Sequence, residues 1–445
     1  MLRGLASDGG LYLPKTWPQL SKNDFKALRG KRYQEIALAV ISPFIGDAIP
    51  RADLQRMLAE AYGRFGHPAV APVVQLGANL FVVELHFGPT LAFKDVAMQL
   101  LARLMEWSLA RRQETSTIVA ATSGDTGGAA VEAFRDNARA RTFVLHPHGR
   151  VSDVQRRQMT TANSPAIHNI ALEGTFDDCQ AIVKALFNDQ PFRARANLSG
   201  VNSINWARIL AQIVYYFTSA LSLGAPDRAM RFVVPTGNFG DIFAGYAAKR
   251  MGLPIERLVI ATNVNDILDR ALNTGRYEVK AVLPSSSPSM DIQVSSNFER
   301  LLFEATGRDA AAVRSMMASL AQSGAFTIPP SALAAIRADF GSGRAGEEDT
   351  AACIRTTLED TGVLLDPHSA TGIVVAHQQL ESASPLVALA TAHAAKFPDA
   401  VEAATGVRPH LPDRLKGLLA AQERYTVLPN SVTAVKDFIL ARTPE

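Results

Sequence analysis

A lysine at the start of a helix is placed against the usual preference, because the positive end of the helix macrodipole favours anions. Lys94 has that placement in Gly88-Pro89-Thr90-Leu91-Ala92-Phe93-Lys94-Asp95, and the apolar run Leu91-Ala92-Phe93 before it implies partial burial. Desolvation beside positive helix ends lowers a lysine's pKa, which suits the amine to attack a carbonyl. An ordinary surface lysine is the competing reading, and placement alone leaves both open.

Two glycine-rich turns sit where a strand hands over to a helix. Thr236-Gly237-Asn238-Phe239-Gly240 follows RFVVP, and Ser123-Gly124-Asp125-Thr126-Gly127-Gly128 follows TIVAAT. In an open α/β sheet, ligands gather at the carboxyl ends of strands. There the unpaired N–H groups of the next helix, helped by its dipole, hold phosphate or carboxylate. Ser123 and Thr126 add hydroxyls to the second turn. Neither turn is a G-x-G-x-x-G or Walker loop, which argues against a dinucleotide or ATP. Either could be a plain tight turn, but the pair favours a small ligand with two anionic ends.

Other chemistries find less support. His146-Pro147-His148 lacks a third ligand at a usable spacing, and with no H-E-x-x-H or C-x-x-C no metal site is expected. Asp366-Pro367-His368 reads as a turn before a helix at Ala370, or equally as a pair facing a pocket. No serine lies in a G-x-S-x-G elbow, so a hydrolase triad is not expected.

The elements that must position these residues alternate. Residues 1–75 read as helices, with Leu54, Leu58, Ala61 and Phe65 at helical spacing in Arg51–Phe65. From Asn79 onward strands at 81–85, 117–121, 142–146, 231–235 and 258–261 are predicted, most of them followed by a helix. Such alternation predicts parallel sheet covered by helices on both faces. Leu283–Met290 and Gly341–Glu347 are predicted loops. At 445 residues, 47% apolar and 20% charged, the chain has ample material for two or three cores and is not disordered. A net charge of +3 gives no reason to expect a nucleic-acid or membrane partner. The apolar runs, such as Leu386–Ala392, are too short to span a bilayer. Met1-Leu2-Arg3-Gly4-Leu5 has no apolar signal core, so a cytoplasmic address is expected, and Cys179 and Cys353 form no disulfide framework.

Over nearly its whole length the sequence resembles the threonine synthase family of fold-type II pyridoxal-phosphate enzymes, in its longer microbial and fungal branch. The resemblance runs through GLASDGGLYLP (4–14), GPTLAFKD (88–95), ATSGDTG (121–127), GRVSDVQRRQMTT (149–161), ALEGTFDDCQ (171–180) and SINWARILAQ (203–212). It continues through PTGNFGDIFAGYAAKRMGLPI (235–255), DIQVSSNFERLLFE (291–304), DPHSATG (366–372) and ATAHAAKF (390–397). It implies two open, mostly parallel sheets covered by helices and a helical N-terminal segment. The expected division is 1–75, then 76–112 with 200–445 as the large cofactor-binding α/β domain. Residues 113–199 would form a small mobile domain carrying SGDTG.

Carried over by position, Lys94 is the lysine that would join the cofactor pyridoxal 5'-phosphate. Gly237, Asn238, Phe239 and Gly240, with Asp241 opening the helix, would hold the cofactor phosphate, and Thr391 would meet the pyridine nitrogen. Ser123, Gly124, Asp125 and Thr126 would take the substrate carboxylate. Asn205 and Arg208, three apart on one predicted helical face, would take the substrate phosphate. The implied reaction turns O-phospho-L-homoserine and water into L-threonine and phosphate, with small molecules as partners and a monomer or homodimer as the assembly. A phospho-lyase giving 2-oxobutyrate and a non-catalytic binding protein on the same fold are the alternatives. The chain departs from the family pattern in two ways. A Ser-Thr-Arg-Gly segment normally precedes the first motif, so either the true start lies upstream of Met1 or that segment is missing. The usual Phe-His order is here His86-Phe87, which in a strand exchanges the faces of the two rings.

Overall fold

The computed structural model describes residues 4–6, 8–379 and 383–443; the expectation about the first residues falls on Met1 to Arg3, outside the described residues. Helices Lys22–Leu28, Tyr33–Ile45 and Arg51–Tyr62 form the expected N-terminal segment. Ser21 and Asp24 close a reciprocal capping box at the first of them, which satisfies N–H groups that the helix cannot pair itself. Phe25 stacks on Phe217 at 5.7 Å, so this segment packs on the buried helix Trp206–Ser222.

The larger sheet runs, edge to edge, Val73–Gln75, Leu80–Glu84, Leu386–Ala390, Met230–Pro235, Ile255–Thr262 and Phe340–Arg344. Only the Val73–Gln75 pairing is antiparallel. The central strands LVALA and MRFVVP are buried at every residue, as strands covered by helices on both faces must be. The smaller sheet is wholly parallel and runs Thr426–Pro429, Ile167–Glu173, Ala140–Pro147, Ser116–Ala121 and Leu198–Ser199. A two-stranded ribbon pairs Arg276–Glu278 with Ala325–Thr327.

Two expectations are corrected. Phe340–Arg344, overlapping the predicted loop at 341–347, is the edge strand of the larger sheet. Its glycines suggested a loop, yet they are there for space: a Cβ on Gly343 would lie 2.6 Å from Gln378 Oε1 and 2.8 Å from Val375 Cγ1 of the overlying helix. The C-terminal residues were expected with the larger unit, but Thr426–Pro429 extends the smaller sheet and helix Val432–Leu440 packs beneath it. A short, mostly exposed strand such as TVLP gives little hydrophobic signal of which sheet it will join.

Candidate active site

Lys94 opens helix Lys94–Arg112, and its side chain is buried at 11% exposure. The loop before it is held by Asp95, whose two carboxylate oxygens each accept a 2.7 Å hydrogen bond from Thr90, one from N–H and one from Oγ1. Gly88 lies so close that a Cβ there would come within 2.4 Å of Asp95. Lys94 Nζ lies 3.4 Å from Asp125 Oδ2 and 3.3 Å from Ser289 Oγ. Burial lowers the lysine's pKa, Asp125 opposes that, and Lys396 and Arg208 reinforce it.

Asp125 opens helix Asp125–Phe134 at the end of the strand Ser116–Ala121. The turn before it is folded around Thr122, whose Oγ1 accepts from the N–H groups of Gly124 and Gly127, both at 2.9 Å. Gly124 has φ +143°, and a Cβ there would strike the Gln155 amide at 2.4 Å, so no other residue fits. Ser123 and Thr126 are half-buried beside it. The Asp125 carboxylate accepts from Gln155 Nε2 at 2.9 Å and pairs with Lys396 at 2.8 Å. Burial would raise its pKa, but Lys396 and Lys94 outweigh burial and hold it well below the usual carboxylate value.

Ser289 links this cluster to the other turn. A Cβ on Gly237 would lie 2.9 Å from the Ser289 carbonyl, so the two backbones touch. Asn238 is exposed, and its carbonyl accepts from Asn297 N–H at 3.1 Å and from Asn297 Nδ2 at 2.8 Å. Phe239 takes φ +64° and buries its ring against Phe298 and Phe340. That aromatic anchor fixes a left-handed residue that aims the N-terminus of helix Gly240–Arg250 at the site. Thr391 is buried at the end of the strand Leu386–Ala390; its N–H donates to Ser369 Oγ and its carbonyl accepts from Phe93 N–H. It therefore abuts the lysine loop.

Two side chains are placed otherwise than expected from spacing, for Asn205, or from the resemblance, for Asp241. Asn205 is the N-cap of helix Trp206–Ser222, not a member of its face: its Oδ1 accepts from Ala207 N–H and its Nδ2 donates to the Gly200 carbonyl. The Asp241 carboxyl turns to the neighbouring helix, where it accepts from the hydroxyls of Tyr215 and Tyr216. Burial pushes it up to about 7. Only the backbone of Asp241 belongs to the turn. Arg208 is 3% exposed, donates from Nη1 to the Val201 carbonyl, and leaves Nε without a partner. Among the described residues it forms no ion pair with a carboxylate, and burial pulls its pKa down to about 10. A buried guanidinium without a counter-ion is costly unless an anion is bound there.

Sequence reasoning missed Lys396 and Asn297, both within motifs already singled out, and Ser289, in the predicted loop at 283–290. Asp366 is the N-cap of helix Pro367–His377, so the turn before a helix is present, although the helix starts three residues before Ala370. His368 Nε2 accepts from Ser289 N–H at 3.2 Å, and its Nδ1 lies 2.8 Å from Asp366 Oδ2. His86 stacks on Phe87 and, with Glu84, His393, His410 and Arg414, lines a different cavity of about 410 Å³. Burial drives its pKa down to about 3.

Comparison with known proteins places these features. "Threonine synthase N terminus" matches residues 1–62, "Pyridoxal-phosphate dependent enzyme" residues 68–340, and "Threonine synthase, C-terminal" residues 369–439. The threonine synthase of Pseudomonas aeruginosa is 51% identical over 441 residues, covering 99% of this chain and 94% of its own. The crystal structure of pyridoxal-phosphate-bound threonine synthase from Brucella melitensis superposes with a TM-score of 0.97 at 60% identity, covering 99% of this chain and 95% of that one. The yeast threonine synthase structure superposes at 0.93 with 39% identity, over 99% and 94% of the two chains.

Proposed function

The chain belongs to the threonine synthase family of pyridoxal-phosphate enzymes, and from that premise we propose that it converts O-phospho-L-homoserine and water to L-threonine and phosphate. The observation that carries the substrate is Arg208, a buried guanidinium with an unpartnered Nε whose charge is felt at Lys94. A phosphate ester satisfies it, and a leaving phosphate gains charge as its Cγ–O bond breaks, so the guanidinium binds the transition state more strongly than the substrate.

The tight, Cβ-intolerant turn at Gly237 and the helix behind it suit a phosphate, so Gly237, Asn238, Phe239 and Gly240 would hold that of the cofactor. Thr391, a neutral hydroxyl, would meet its ring nitrogen. The cofactor supplies an aldehyde for amines and a ring that draws electron density from the substrate's α-carbon. Lys94 would yield its place to the substrate amine, accept the Cα proton and return a proton where Cγ becomes a methyl group. Ser123, Gly124, Asp125 and Thr126 would receive the substrate carboxylate through the N–H groups of Asp125 and Thr126 and the two hydroxyls, since the Gly124 N–H is held by Thr122 and the Asp125 side chain faces lysines. The smaller sheet, carrying that turn, would close over the larger one and regulate water entry to Cβ. The reaction would take place in the cytoplasm, where the two buried, unbridged cysteines remain reduced.

Incubating the purified protein with pyridoxal phosphate and O-phospho-L-homoserine tests the reading. Threonine and inorganic phosphate should appear in equal amounts. Release of 2-oxobutyrate in place of threonine would assign the chain to lyase chemistry instead.

A further inference from the structure

Lys396 sits in the site without a task. Its side chain is 0% exposed, and its ammonium donates to the Thr90 carbonyl at 2.7 Å and pairs with Asp125 Oδ1 at 2.8 Å. The other Asp125 oxygen is 3.4 Å from Lys94 Nζ. One carboxylate therefore lies between two buried lysines, and the closer one is not the lysine placed to react. A short charge-assisted contact outweighs a longer one, so the charge of Asp125 belongs mainly to Lys396. The remaining groups around Lys94 are Arg208 on helix Trp206–Ser222, Ser289 with His368 behind it, and Asp95, which is turned to Thr90.

We infer that Lys396 is a positioning residue that keeps the Lys94 amine neutral and nucleophilic by holding Asp125 as its own counter-ion. Without Lys396, the Asp125 carboxylate would face Lys94 alone and stabilise its ammonium form, which has no lone pair to offer. The direction of the Lys94 pKa agrees: burial lowers it, and Lys396 lowers it further against the pull of Asp125. The inference rests on Lys94 being the lysine that joins the cofactor. In that step the amine lone pair adds to the aldehyde carbon, and the aldehyde oxygen leaves as water with both amine protons.

The test follows linkage of pyridoxal phosphate to the cofactor-free chain by absorbance across pH, with borohydride trapping and peptide mass spectrometry to locate it. In Lys396→Met the midpoint of the rate profile should rise by about one pH unit or more, so linkage below the midpoint slows about tenfold and recovers in alkali. Lys396→Arg should keep the native midpoint. In Lys396→Met with Asp125→Asn the midpoint should fall back toward the native value, because attraction and repulsion are removed together. Asp125→Asn alone should move it down, and this variant tests the inference even if Lys396→Met does not fold. An unshifted midpoint in Lys396→Met or in Asp125→Asn overturns the inference, as does a rate lowered equally at all pH values. A native chain trapped at a residue other than Lys94 would overturn the underlying reading instead.

Discussion

Replacing Asp241 by asparagine removes an ionisable group from between two tyrosine hydroxyls while keeping the outline of the side chain. The Asp241 carboxyl accepts from Tyr215 and Tyr216, its Oδ2 has no partner, and burial pushes it up to about 7 from an ordinary 3.8. Below about pH 4 the group is neutral whether the chain is folded or not, and its contribution is at its most favourable. As pH rises from about 4 to 7 the unfolded chain releases the proton while the folded chain keeps it, so stability falls. Above about 7 the loss levels off near 4 kcal/mol, from a shift of about three pH units at about 1.4 kcal/mol each. Asparagine offers the tyrosines an acceptor and never ionises. Asp241→Asn should match the native chain near pH 4 and exceed it by about 4 kcal/mol near pH 8. With an unfolding entropy of roughly 2 cal/mol/K per residue, that is about 4 °C in melting temperature for a chain of this length. Thermal unfolding of the cofactor-free chain at both pH values reads the difference directly. A variant equally less stable at every pH would refute the reasoning, because it would mean that the carboxyl titrates alike in the folded and unfolded chain.

Lys94→Ala should still bind pyridoxal phosphate through the turn at Gly237, while losing the covalent absorbance band and turnover by many orders of magnitude; native-like activity would remove Lys94 from its role. Arg208→Lys should lower kcat/KM by ~10–1000-fold with the cofactor spectrum intact, the range for losing one oriented charge contact. Inhibition by inorganic phosphate should weaken in parallel, and unchanged inhibition accompanied by a lower melting temperature would make the arginine structural. Asn238→Asp keeps the acceptor for Ser296 Oγ but sets a negative charge at the proposed phosphate site. Saturating cofactor stabilises a native site by about 2.7 kcal/mol at a hundredfold Kd, and that gain should shrink or vanish in this variant.

The features legible in the sequence were those set by neighbours in the chain. The run Leu91-Ala92-Phe93 foretold the burial of Lys94, and the apolar runs before Gly237 and Gly124 foretold strands delivering tight turns to helix N-termini. Composition misled where a residue answered to a distant partner. Glycines at 341 and 343 read as a loop because what needs their smallness is distant in sequence, Arg257 on the neighbouring strand for Gly341 and the helix bearing Val375 for Gly343. Helical spacing set Asn205 beside Arg208, but the helix begins one residue later and takes the amide as its cap. Asp241 suited the cradle by position, and two tyrosines from another helix claimed its carboxyl. Lys396 escaped notice because its meaning depends on Asp125, a residue from the other sheet.

The late return of Thr426–Pro429 to the smaller sheet bears on how the protein is born. A ribosome adds about 5–20 residues per second, and roughly 250 residues separate Glu173 from Thr426, so the strand Ile167–Glu173 waits between about ten seconds and a minute for its outer neighbour. During that interval it is a sheet edge with unpaired N–H and C=O groups, open to a strand from another nascent chain. The turn carrying Asp125 stands two strands inward on the same sheet. Its counter-ion Lys396 is likewise made long after the strand Ile167–Glu173. The smaller sheet is thus complete only once Thr426–Pro429 is made, and a chain stalled before Thr426 would emerge with Lys94 in place and the sheet opposite it unsealed.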